Sequence, residues 1–478
     1  MKRLLHIGLL AVLVAVGVGA VAPASAQERN ASRLVLEDTT YVDVSMGVAA
    51  AAGELHDVFE PLRQLGGTLD ASSRRKLGDV SLYGHFGYGY GHAQGSTWRG
   101  WIDPYETPFM LADSVPGNLS LEQYAMEAGI GVPVGSGWSV GVNAAYDVTL
   151  MAKHKDLRNK NTAMAFRIAP GINWHGDVLG LGLDLGYERS TERVEYAQVS
   201  ESKENMLFDI YGLWLYHASG FASAENRRMK ERNRLFGDFQ FDVDAGPVQV
   251  HNNFRALWER SVQTEVGYNN LQFGEVDAWT WSDDLSLSIG EAHLVEASAA
   301  FSTMQGLRPL QRQELDPDSR IRVWVTYGDP VFCYWRRYHV EQLKYTVGKT
   351  WKLAVNLKNW GMEHSYTEYP HRFEQRISHM EASLSLEIPA GPLKLVPWTG
   401  FTHAYDSYTD DTPWQLSGPL RAQWDIWDGD DIFGAMDVRW SSASGRCYVN
   451  AHYIMGGVLG PDDHRFRQMA SLTLGFVF

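Results

Sequence analysis

The chain has 478 residues, a formal charge of −15, 45% hydrophobic residues and a mean hydropathy of −0.26. Such acidity makes the chain a poor candidate for nucleic-acid binding, whose main affinity term requires cationic neutralisation of phosphates. No stretch beyond Ala26 approaches the roughly 18 uninterrupted apolar residues of a membrane-spanning helix, which leaves a β-barrel as the one way to cross a bilayer with every backbone group bonded.

Lys2 and Arg3, an apolar core over 9–21 and the small-residue site Ala24-Ser25-Ala26 have the order of a secretory signal peptide. Residues 1–26 are therefore expected to be cleaved, with the mature barrel over 27–478 starting at Gln27. The absence of a Cys after that site argues against a lipidated N-terminus. Loss of Lys2 and Arg3 takes the charge from −15 to −17. A first strand is read near 41–51. Over 54–66, Leu55, Val58, Phe59 and Leu62 have helical spacing, so a short helix or loop is expected there. The stretch before the first strand is too short for a plug domain, and the chain is shorter than energised receptors of 22 strands around a plug.

From Trp138 onward, Val140, Val142, Ala144, Tyr146 and Val148 alternate with Ser139, Gly141, Asn143, Asp147 and Thr149. One face suits lipid and the other water. Met164, Phe166, Ile168, Pro170, Ile172 and Trp174 continue the pattern. Gly176-Asp177 then links to Leu179, Leu181, Leu183, Leu185 and Tyr187, a complete hairpin. Turn clusters at 245–247, 348–350, 389–392 and 428–430 predict further hairpins. Long connections are expected at about 93–118, 191–228, 305–333, 407–417 and 445–464; within 191–228, Phe208 to Tyr216 reads as a strand or as a segment folded into the barrel mouth. Trp138, Trp174 and Trp351 near short turns, with Tyr146, Tyr187 and Trp258 toward the long loops, read as two aromatic girdles drawn from 17 Trp, 22 Tyr and 19 Phe.

At the C-terminus Phe466, Ala470, Leu472, Leu474, Phe476 and Phe478 share one face of a last strand. Its terminal aromatics Phe476 and Phe478 resemble the signal that outer-membrane barrels present to the barrel-insertion machinery. The fold class expected is all-β: a single-chain antiparallel transmembrane β-barrel of roughly 18 strands, within 16 to 20, with short periplasmic turns and long extracellular loops. Membrane lipid and lipopolysaccharide would surround it in the outer membrane.

The inward parity carries Asp147, Arg167, Asp184, Glu188, Asp238, Asp242, Lys352, Lys358, Glu387, Lys394 and Arg467. These candidate lumen-lining residues form either a network of opposite charges that packs a narrow lumen or the lining of a selective pore. Cys333 and Cys447 are both read near the long-loop side, where a disulfide between loops could form. His85 and His92 flank one strand, and His371 and His379 bracket another. Scattered His on polar strand faces seldom ligate, so no metal or other cofactor is expected. Gly135-Ser136-Gly137 is a turn and not a nucleophile elbow, because no helix pattern follows; no catalytic residues are assigned and the chain reads as no enzyme.

The segment 104–114, with Gly117, Leu119, Glu122 and Tyr124, resembles a loop-then-strand block in a family of uncharacterised outer-membrane barrels of Bacteroidota. Residues 155–161 look like that family's next loop, departing from a proline-containing form. The resemblance implies a companion of TonB-dependent receptors or surface lipoproteins in uptake, and defines no functional residues. The expected function is a porin-like or uptake-associated barrel passing or binding a small solute. The alternatives are a closed structural barrel docking another envelope protein, and a lipid or hydrophobic-compound transporter, against which the polar inward faces count.

Overall fold

A computed structural model describes residues 30–200, 205–212, 215–220, 227–266, 271–317, 320, 322–367, 373–410, 424, 426–458 and 465–478. The expected signal peptide over 1–26 and His371 lie outside the described residues. The strands of the first half are β1 Tyr41–Gly53, β2 Arg63–Leu77, β3 Val80–Ser96, β4 Phe109–Ala112, β5 Gly117–Gly135, β6 Trp138–Lys153, β7 Arg158–His175 and β8 Leu179–Ala197. Then follow β9 Met206–Tyr211, β10 Leu215–Gly220, β11 Arg227–Ala245, β12 Val248–Glu265, β13 Leu271–Ile289, β14 His293–Arg308, β15 Gln311–Leu315 and β16 Arg322–Thr326. The last are β17 Val331–Val347, β18 Lys352–Tyr366, β19 Phe373–Ala390, β20 Leu393–Thr409, β21 Asp431–Ser441, β22 Cys447–Val458 and β23 Phe466–Val477.

Eighteen of these form one antiparallel sheet that closes on itself where β1 pairs with β23, Val44 opposite Phe476 and Ala50 opposite Ala470. Closure removes every sheet edge, which is why the strands can run to 19 residues without exposing unpaired backbone. Alternation decides the rest. Trp138, Phe166, Leu185, Phe239, Leu343, Leu384 and Leu474 all point outward and are 40–60% exposed, giving a mostly apolar exterior. Trp138 and Trp174 meet near the short turns with ring centroids 6.5 Å apart, and Trp351 is exposed at the same end. The turn at 135–137 needs left-handed backbone at three successive residues, which Gly135, Ser136 and Gly137 supply.

The lumen is not empty. Residues Ala31–Leu36 form a 3-10 turn capped by Asn30, with Ala31 to Leu34 buried inside the wall of β3, β5, β6 and β7 at the short-turn end. Inward glycines make its seat. A Cβ on Gly131 would stand 2.3 Å from the Ala31 carbonyl oxygen, and one on Gly141 2.3 Å from the Ser32 nitrogen. Side chains then fix it: Asn30 Nδ2 donates to Gln240 Oε1 at 2.9 Å, Ser139 Oγ to the Ser32 carbonyl at 2.7 Å, and Arg33 pairs with Asp242 at 2.7 Å.

Three sequence expectations are corrected. Residues 428–430 are not a short turn; they end the long connection after β20, and the short turn that follows is 442–446. The stretch 445–464 is accordingly no long loop but holds β22. Cys447 therefore lies at the short-turn end opposite Phe476, whereas Cys333 opens β17 at the long-loop end. With the length of the wall between them, far beyond the roughly 7 Å that a disulfide spans, the two do not bridge. The 54–62 stretch is an irregular loop rather than a helix. Phe208 to Tyr216 contributes to the hairpin of β9 and β10, which pairs through β9 with β4.

Candidate functional site

The long-loop mouth is closed by folded chain. Loop 97–116 turns inward because it is rich in large apolar side chains: Trp101, Phe109, Met110 and Ala112 have no exposed surface. Trp101 Nε1 donates to the Phe109 carbonyl at 2.9 Å, which locks the loop on itself. Two apolar clusters result. Trp98, Trp101, Met110, Leu111, Leu157 and Ile210 form one; Phe109, Tyr334, Trp360, Phe373 and Trp427 are central to the other, against the wall of β13, β14, β17, β18 and β19.

Buried ion pairs fasten this lid to the wall. Arg228, Lys230, Arg232 and Arg234 occupy alternate positions of β11 and so project as a cationic ladder into the lumen. Glu106 of the lid meets Lys230 at 2.5 Å and also pairs with Arg232, while Asp209 of β9 meets Arg228 at 2.8 Å. Wall carboxylates complete the ladder, Glu192 with Lys230 at 3.0 Å, Glu188 with Arg234 at 3.1 Å and Glu259 with Arg234 at 2.6 Å. From β17, four strands along the wall, Arg336 Nη1 donates to the Tyr105 carbonyl at 2.7 Å. At a third point Arg467 of β23 faces Glu60 at 3.6 Å. Glu60 lies in loop 54–62, and burial drives its carboxyl up to about 7 against the opposing pull of Arg467.

Below the lid, on the side of the lumen opposite the N-terminal turn, lies a cavity of about 490 Å³. Lys344, Lys352, Lys358 and Arg439 meet Glu381, Glu387 and Asp437 around it, with Trp398 and His452 stacked 6.4 Å apart on one wall. A second hollow of about 480 Å³, at the rim over 389–393, is lined by Lys394 and shares Arg439 with the first. Lys394 pairs with Glu387 at 3.0 Å and Lys344 with Glu296 at 2.5 Å. The arrangement can hold a small polar solute by hydrogen bonds and paired charges of both signs.

Of the residues predicted from parity, Lys352, Lys358, Glu387 and Lys394 come together at these hollows. Asp147, Arg167 and Glu188 share a second patch with Glu127, which Arg167 reaches at 3.2 Å. Asp238 pairs with Arg255 at 2.5 Å, Asp242 holds Arg33, Asp184 is buried against Gly171, and Arg467 sits apart at the mouth. His85 faces Asp70 and His379 stacks on Trp360 at 4.5 Å, so they do not converge. Sequence reasoning missed the ladder of β11 and its partner Glu106. Its signal was present, four cations spaced by two residues from 228 to 234.

Fold and site together define a single-chain, 18-stranded antiparallel β-barrel whose mouth is filled by its own loops. The chain belongs to the family of unknown function DUF6850, whose model matches residues 31–478. No curated protein matches it in sequence. Solved structures that it resembles include the ferric-catecholate import receptor Fiu from E. coli K12, at 8% identity over 92% of this chain and 82% of that one, with a TM-score of 0.40. The siderophore receptor PirA from Acinetobacter baumannii matches at 8% identity over 92% and 81%, TM-score 0.44. The FrpB iron transporter from Neisseria meningitidis matches at 9% identity over 94% and 83%, TM-score 0.45. At such scores the likeness carries no argument about what this chain does.

Proposed function

We propose that this chain is exported with cleavage after Ala26, spans the outer membrane, and serves as a gated uptake barrel. In this reading the long loops are extracellular and the short turns periplasmic, as in bacterial barrels generally. Phe476 and Phe478 serve as the assembly signal for the insertion machinery, and lipid and lipopolysaccharide surround the apolar exterior. The gate is the lid of loop 97–116 and β9. The solute is small and polar, and it passes or binds at the cavity lined by Lys352, Lys358 and Glu387. A TonB-dependent receptor or surface lipoprotein is a fitting companion, because a barrel that works through a releasable lid needs a partner to capture or concentrate its solute.

One observation carries the proposal: a charged cavity lies under a lid pinned by ion pairs rather than by continuous sheet. Such pins can be released without unfolding the wall. Planar-bilayer recordings test it. The unsubstituted protein is expected to be almost silent, whereas Glu106→Ala combined with Asp209→Ala gives frequent openings. Silence of both, with no solute bound at millimolar concentration, would reject the gate.

A second reading, a docking barrel, is favoured by the hairpin of β15 and β16. It presents Leu315 at 62% and Trp324 at 50% exposure beyond the wall. Copurification of a stoichiometric envelope partner, lost on Leu315→Asp with Trp324→Asp, would support this reading in place of the gate.

A further inference from the structure

The hollow beneath the lid exists because the wall is low there. Where β18, β19 and β20 face the lumen, Ala354 lies beside Ser385 and Ser383 beside Gly400. Short side chains on adjoining strands leave a space that the longer ones around them enclose. Lys352 and Lys358 bracket this floor along β18, roughly 20 Å apart at the rise of an extended strand. Trp398, the register neighbour of Ser385, stands beside it, its ring met by that of Phe433 in a T-shaped contact at 5.3 Å. Phe433 can lean in because Gly400 has no Cβ, which would lie 2.4 Å from the Phe433 Cζ.

The local charge runs against that of the whole chain, which is −15. Lys344 is held by Glu296 at 2.5 Å, Lys394 holds Glu387 at 3.0 Å, and Asp437 is shared by His452 and, at 3.9 Å, Arg439. Lys352 lies in register with Glu387 and Lys358 with Glu381, but among the described residues neither lysine makes an ion pair. With Lys394 and Glu387 cancelling, Lys344, Lys352, Lys358 and Arg439 face only Glu296, Glu381 and Asp437, four positive charges against three negative. Lys352 is the surplus. Neutral donors and acceptors share the same surface: Gln342 Nε2 donates to Asn356 Oδ1 at 2.7 Å and Asn356 Nδ2 to Ser383 Oγ at 3.3 Å, with Thr346 and Ser385 one row nearer the short turns.

We propose that this cavity takes a small sugar carrying one carboxylate, an inference that rests on the reading of the hollow as the solute site. Each part of such a ligand has its counterpart. The carboxylate meets the ammonium of Lys352, which the wall leaves without an ion pair. Ring hydroxyls, donors and acceptors at once, complete the bonds that Gln342, Asn356, Ser383 and Ser385 still offer. The weakly positive C–H face of a pyranose lies against the negative π face of Trp398. An aromatic acid would satisfy Lys352 and Trp398 but press an apolar ring onto the amides and hydroxyls, stripping their water without replacing its hydrogen bonds. An uncharged sugar leaves the ammonium without a counter-ion. The volume of about 490 Å³ lies in the lower half of the range for small-molecule pockets, which limits the ligand to short saccharides.

The test is calorimetric titration of the full chain in detergent with glucuronate, glucose and benzoate, each corrected for protein-free micelles. Glucuronate is expected to bind, and glucose and benzoate each at least tenfold more weakly. Lys352→Met should weaken glucuronate at least tenfold and glucose less than threefold, while the barrel keeps its heat-modifiable mobility on gels; Lys352→Arg should restore most of the affinity. Trp398→Ala should weaken both sugars alike. No binding of glucuronate, equal binding of glucose or benzoate, or an undiminished affinity in Lys352→Met would overturn the assignment. The ligand enters from the short-turn end, so binding requires no movement of the lid, and the gate is scored separately by conductance. Openings in the Glu106→Ala, Asp209→Ala variant without glucuronate binding would remove the sugar acid and leave the gate standing. Glucuronate binding beside silent recordings would support the ligand in a barrel that binds without conducting.

Discussion

Glu60 is the residue whose chemistry reaches furthest beyond its own position. Its carboxyl titrates near 7 when folded and near 4.5 when exposed. The native state therefore binds the extra proton between those values, and its stability falls as pH rises through that window. A shift of this size corresponds to on the order of 3 kcal/mol. The protection factors of loop 54–62 against hydrogen exchange, corrected for the intrinsic pH dependence of exchange, are expected to be higher at pH 5 than at pH 8, and Glu60→Gln to abolish the difference. Arg467 opposes the trend by favouring the charged form, so Arg467→Met should enlarge it. At the ladder the expectation is different. Glu106→Ala leaves Lys230 and Arg232 buried with one carboxylate fewer, at a cost of about 3–5 kcal/mol, read as lid opening in conductance. Neither residue was legible in the sequence, since Glu60 and Glu106 lie in loops where no periodicity says which side chains turn inward.

Among the elements, the strands of the wall were the most legible and their polarity the least. Period-two alternation in β6, β7, β8 and β23 declares strand, face and partner at once. It does not declare up from down. Two turn-forming clusters one strand apart, 428–430 and 442–446, have the same chemistry, and choosing the first displaced β22 and carried Cys447 to the wrong end. The cations of β11 followed the same alternation but adjoined a segment read as loop. The lid strand β4 was hidden because four consecutive buried residues, Phe109–Ala112, show no alternation at all. Phe109→Ala should cost about 3–5 kcal/mol in chemical denaturation, as expected for a fully buried ring. The N-terminal turn is another element that only the fold reveals. Gly141→Val is expected to expel it, raising tryptic cleavage at Arg33 roughly tenfold through local opening, while the wall remains folded.

For the whole molecule, legibility ended at architecture. An all-β barrel of roughly 18 strands, within 16 to 20, follows from alternation and turn spacing, but whether its lumen is open depends on which loops fold inward, a question of long-range packing. The lid cores and the β11 ion pairs answer it. They also set the two ends of the barrel apart, one filled by inward-folded loops and the other leading through Lys394 and Arg439 into the hollow above. The molecule is then a cup and not a pipe. While the lid stays shut, occupancy of the hollow follows solute concentration on the short-turn side alone. A ligand stabilises the fold in proportion to the logarithm of its concentration over its dissociation constant. On the outer-membrane orientation proposed above, thermal resistance of this barrel in intact cells would thus report the contents of the compartment behind it and be indifferent to the medium outside.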